Sequence, residues 1–130
     1  MRKNLIDGSW VAADSGETFD ITDPATDRVV DTVPRCGEAE ATRAIAAAHR
    51  AFPAWKARTA ADRASMVAKL GALMRRDIDR LAALMTSEQG KPLAEAKGEI
   101  NYAASFLDWA AEEGKRIPGE IIPASAPNKR

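Results

Sequence analysis

The sequence predicts a mainly helical fold that opens on short β-strands and hairpins. Three observations predict it. Residues 4–34 hold short alternating runs broken by Asp-Gly and Asp-Pro turns. Residues 37–114 repeat apolar side chains at helical spacing. Residues 115–130 carry Pro118, Gly119, Pro123 and Pro127, and so read as an extended tail.

In the first hairpin, Asp7-Gly8 suits a type I′ turn, because both central residues must take positive φ. In the second, Phe19 and Ile21 alternate with polar residues, and Val29, Val30 and Val33 return. Asp23-Pro24-Ala25-Thr26-Asp27 turns the chain, with proline pre-setting φ. Two such pairs are marginal alone in water, so they are expected to lie on something else.

The first helix starts near Gly37, with Ala41, Ala44, Ile45, Ala48 and Phe52 on one stripe. Pro53 is expected to close or follow it. Thr59 with Asp62 resembles a capping box and starts the second helix. That helix carries Met66, Val67, Leu70, Leu73 and Met74. Asp77 is expected to restart the chain as an N-cap, leading into Ile78, Leu81, Leu84 and Met85. Gly90 fits the C′ position, where positive φ is cheap, and Pro92 fits N1, where its missing N–H costs nothing. The last helix runs to about Gly114, with Leu93, Ala96, Ile100, Ala103, Ala104, Leu107 and Ala111 at helical spacing. Tyr102, Phe106 and Trp109 form a stripe beside that alanine face. It serves packing, or part of it lines a ligand channel.

Composition excludes several classes. Nineteen basic and nineteen acidic side chains cancel, which disfavours nucleic acid as a partner. No apolar run approaches ~18–20 residues, so no membrane span is expected. Arg2 and Lys3 lead into no apolar core, so Met1–Trp10 does not read as a secretory signal. One cysteine allows no internal disulfide and suits a reducing, cytoplasmic setting. Basic groups dominate residues 56–80 and acidic groups residues 81–114. Such solvated helix faces attract one another weakly.

No catalytic, cofactor-binding or metal-binding residue is nominated. Cys36 sits before a helix N-terminus, which lowers a thiol pKa, but Glu38 and Glu40 oppose that. The single histidine, His49, lies ~18 Å further along the same helix axis and cannot serve as its base. One Cys and one His do not make a four-ligand zinc site. Gly90-Lys91-Pro92 lacks the upstream glycine and following Ser/Thr of a phosphate loop, and no GxGxxG occurs.

Helix grammar does not require the string EQGKPLAEAKGEI, Glu88–Ile100. Within Leu84–Glu120 it closely resembles the aldehyde dehydrogenase superfamily, and inside it the succinate-semialdehyde branch. LIDGSWVAADSGETFDITDPATDRVVDTVP and HRAFPAWKARTAADRASMVAKLGALM resemble the same family, in the same order. The resemblance implies that the chain is the N-terminal part of the cofactor-binding domain of an α/β enzyme, about its first quarter. Strands and turns would span 4–34, helices 37–114, and an extended tail 115–130 would lead to an oligomerisation hairpin starting near Lys129. It further implies a homo-oligomer that oxidises an aldehyde with NAD or NADP through a cysteine thiolate, amide donors to the oxyanion and a glutamate that activates water. All of those groups come from the remainder of the dehydrogenase chain, so this chain alone is expected to be inactive and to bind no cofactor. Gly98, Tyr102 and Phe106 would face the substrate entrance. The competing reading is a free-standing helical binding or regulatory module derived from that fold.

Overall fold

A computed structural model of the chain describes residues 3–120 and 122–128. Two antiparallel hairpins come first. β1 (Asn4–Ile6) pairs with β2 (Ser9–Val11), Leu5 opposite Trp10. Asp7 and Gly8 sit at φ 52° and 75°, so the turn is type I′, as expected. β3 (Thr18–Thr22) pairs with β4 (Val29–Pro34), with a register shift at Ile21/Thr22. The Asp23 carboxylate accepts the Ala25 N–H at 2.8 Å, and Asp27 takes φ 56°. That local hydrogen bond is what selects Asp for the turn.

Four helices follow: α1 (Glu38–Lys56), α2 (Ala60–Arg76), α3 (Ile78–Gln89) and α4 (Leu93–Glu113). The hydroxyl of Thr59 accepts the Asp62 N–H at 3.1 Å and caps α2, a contact of ~1 kcal/mol. Gly90 closes α3 at φ 75°. A side chain there would be strained, and its Cβ would meet Pro24 Cγ at 3.0 Å.

Three local expectations shift. Pro53 lies inside α1 and does not end it. It sits in the last turn, where its missing N–H leaves only the His49 carbonyl without a helical donor, and Ala57 N–H still reaches the Pro53 carbonyl at 3.0 Å. Pro92 occupies the N-cap position, one place before N1. Its ψ of 137° is extended, while its carbonyl accepts the Ala96 N–H at 2.9 Å. Asp77 does occupy the N-cap position of α3, and its carbonyl accepts the Leu81 N–H at 3.0 Å, but its side chain makes no cap hydrogen bond. Arg76 holds its carboxylate at 2.7 and 3.0 Å, and Arg80 shares it. Those guanidiniums keep the Asp77 carboxyl below its usual range.

The centre of the molecule is the α2–α4 pairing, with α3 against α4. Gly71 makes it possible. A Cβ there would meet the Asp108 carboxylate at 3.2 Å and the Ala104 carbonyl oxygen at 3.3 Å. Arg75 and Asp108 bridge the two helices at 2.5 Å, and Lys97 and Asp79 join α4 to α3 at 2.6 Å. These pairs are half-exposed and contribute little by themselves. Arg75–Asp108 follows the opposite charge of the two segments, whereas Lys97–Asp79 pairs the minority charge of each.

On α4, Ala96, Ile100, Ala104 and Ala111 are buried, and Ala103 and Leu107 are half-buried. The stripe expected on α4 is therefore the packed one, apart from Leu93 at its exposed start. On α1 the outcome differs. That helix rests on β1 through Ala44 and Ala47, while Ala41, Ile45, Ala48 and Phe52 face solvent. At ~100° per residue the exposed stripe lies about 90° round from the packed edge. Nothing among the described residues covers it.

The core is thin. Buried hydrophobic residues are seven alanines and Ile100, and no large side chain is fully buried among the described residues. The accessible surface is 9842 Å² for a chain of 14.0 kDa. A compact monomer of that mass exposes ~6,700 Å².

Candidate functional site

The exposed face of α4 brings two of the three nominated residues together. Tyr102 and Phe106 are one helical turn apart, and their rings meet edge to face at 4.7 Å and 70°. Trp109 and Ser105 complete the lining of an open groove of about 520 Å³. Tyr102, Phe106 and Trp109 are 65%, 55% and 66% exposed. Gly98 lies one turn before Tyr102 on the same face but outside the lining, and a Cβ added there would touch nothing within 4 Å. Trp109 belongs to the groove and was visible in the sequence as the i+7 member of the stripe.

This aromatic face does not sit beside the alanine face. At ~100° per residue it lies about 160° round the helix from it, so α4 is apolar on two nearly opposite sides. The groove carries no cation, carboxylate or thiol. The Ser105 hydroxyl is already spent on the Tyr102 carbonyl at 2.7 Å. What remains is aromatic stacking surface and the Tyr102 phenol, which together can hold an apolar or planar group and make a hydrogen bond to it.

Cys36 lies far in sequence from that groove. It is half-buried, and its Sγ accepts from Asn4 Nδ2 at 2.9 Å. His49 is exposed on α1. No three His, Cys, Asp or Glu side chains come together as metal ligands among the described residues. No helix among them is long and apolar enough to cross a membrane.

Among the described residues the one buried charge is Glu40, 5% exposed in the first turn of α1. Its carboxylate accepts the Asp14 N–H at 2.7 Å and the Gly37 N–H at 2.9 Å. Arg43 reaches back to the Asp14 carboxylate with two bonds of 2.7 Å. Glu40 thus ties the loop after β2 to the start of α1. The Asp14 N–H, then the Gly37 N–H, hold its carboxyl down to about 2, from an ordinary 4.5. A depressed folded-state value stabilises the fold above pH 4.5, and that contribution disappears as pH falls through about 2. Carboxyl NMR is expected to place the Glu40 midpoint near 2. Glu40→Gln should carry less helix than the parent above pH 4.5 and match it at pH 2. A midpoint near 4.5 would mean that the tie is not made.

A model of the aldehyde dehydrogenase family matches residues 10–130. The chain belongs to the aldehyde dehydrogenase family. Within that family it is 56% identical to the glutarate-semialdehyde dehydrogenase of Pseudomonas putida, over 96% of this chain and 26% of the relative. It is 54% identical to the NADP(+) succinate-semialdehyde dehydrogenase of Escherichia coli, over 97% of this chain and 26% of the relative. The crystal structure of succinate-semialdehyde dehydrogenase from Burkholderia pseudomallei superposes with a TM-score of 0.93 at 49% identity, over 98% of this chain and 27% of that one. The hairpins and four helices are thus a segment of the aldehyde dehydrogenase fold. The chain spans about a quarter of the length of these relatives. The strand expected from Lys129 lies outside the described residues.

Proposed function

We propose that the chain is the N-terminal quarter of an NAD(P)-dependent dehydrogenase that oxidises a short aldehyde ending in a carboxylate, succinate semialdehyde foremost. The observation that carries this reading is identity of 54–56% across nearly the whole chain to two relatives. Their named substrates differ by one methylene and share the terminal carboxylate. In this reading residues 1–130 contribute a helical layer of the cofactor-binding domain. The thiolate, the amide donors, the activating glutamate and the NAD or NADP site belong to the remainder of the chain. The enzyme works as a homo-oligomer in the cytoplasm.

The groove of Tyr102, Phe106 and Trp109 stands at the substrate entrance, with Gly98 at its N-terminal margin. Support comes from its chemistry. It offers flat aromatic surface to the methylenes and no charge that would trap the carboxylate on the way in. The cation that holds the carboxylate is supplied from outside the groove, which has none.

The test is a joined enzyme. The matching segment of the Escherichia coli relative is replaced by this chain, and NADPH formation is followed with succinate semialdehyde. Activity is expected in the joined enzyme and none in the separate chain. Tyr102→Ala or Phe106→Ala should raise KM ~10-fold with little change in kcat, the mark of lost uniform binding. A soluble joined enzyme without turnover would refute the reading. Unchanged KM in both variants would remove the groove from the substrate's path.

A further inference from the structure

We propose that the outer face of α2, formed by Met66, Leu70 and Leu73, is a docking surface whose occupant is the remaining part of the dehydrogenase chain. This rests on the reading above. All three side chains are exposed in the separate chain. They follow one another at spacings of four and three, so they form a second stripe, about 140° round the helix from the face that Ala64 and Gly71 press on α4. A helix that is apolar on more than one side is a buried helix. Here only one side is buried.

The area identifies the occupant. The chain exposes ~3,000 Å² more than a compact monomer of its mass. A standard specific interface takes ~800 Å² from each partner. So large a surplus fits a permanent, core-like union better than a transient partner. The relatives supply such a union within one chain, because the same backbone is about a quarter of a much longer polypeptide. A second copy of this chain would have to cover the exposed stripes of α2 and α1 at once. Those stripes belong to two different helices.

The experiment places Leu70→Glu and Leu73→Glu in two settings. In the separate chain both side chains already meet water, so far-UV circular dichroism should be unchanged. In the joined enzyme the same changes put a carboxylate into an apolar interface, and the inactivation temperature should fall by ~5–10 °C. Lys69→Glu, exposed beside the stripe, should leave the joined enzyme unaltered. Equal tolerance of both leucine variants in the two settings would overturn the proposal. So would a dimer of the separate chain that Leu70→Glu dissolves, because the occupant would then be a second copy. A parent joined enzyme that makes no NADPH would instead refute the reading on which this rests, so the two failures are distinguishable.

Discussion

Residues 1–130 by themselves should bind ANS strongly and lose tertiary signal over a broad temperature range while keeping most of their helix. The expectation follows from what is buried. Side chains inside are alanines and one isoleucine, whereas Trp10, Phe52, Tyr102, Phe106 and Trp109 lie at the surface. A buried methyl contributes far less than a buried Leu or Phe, whose burial contributes ~1.5–3 kcal/mol each. Such a core can hold helices together without fixing one arrangement of side chains. Retained far-UV and weak near-UV circular dichroism with dye binding is the pattern of that state. A free-standing module would have polar groups on the outer faces of α1, α2 and α4. A sharp two-state melt without dye binding would favour that reading.

Gly71→Val should cost the joined enzyme more than any other single change in the α2–α4 seam. A Cβ at this position meets the Ala104 carbonyl oxygen at 3.3 Å and Leu107 Cβ at 3.5 Å. The backbone oxygen cannot move without moving α4. A branched side chain would force the helices apart, part Arg75 from Asp108 and cost ~1–3 kcal/mol or more. Gly71→Ala is the graded comparison. It gains up to ~1 kcal/mol of helix propensity and meets the same oxygen, so the two effects oppose. The expected order of inactivation temperatures is parent near Gly71→Ala, with Gly71→Val well below. Equal temperatures for Gly71→Val and parent would mean that α2 and α4 are not held this closely.

Local chemistry was legible because its partners are neighbours in sequence. Asp7-Gly8 demands positive φ at both places, Thr59 finds Asp62 three residues on, and Gly90 ends α3. The packed stripe of α4 was legible because its partners, α2 and α3, are in the same chain. The stripe of α1 is legible as well, but most of it is exposed in the structure. Periodicity reports an apolar face without saying whether its cover is present. Glu40 was read only as an acid at a helix start, since its main donor, the Asp14 N–H, lies 26 positions away. The aromatic stripe and the presence of apolar groups on more than one side of α4 are legible in the sequence; what is not is that the two faces lie on nearly opposite sides of the helix. Family membership was legible from Glu88–Ile100 and its flanks. The chemistry was not, because none of the reacting groups that the family implies lies in these residues.

The most direct test is the intact mass of the polypeptide that carries this sequence in its own source. At about a quarter of its relatives' length, the account predicts ~50 kDa, three to four domains of ~100–150 residues. A mass of 14.0 kDa, with the apolar faces of α1 and α2 covered by nothing of its own chain, would contradict it.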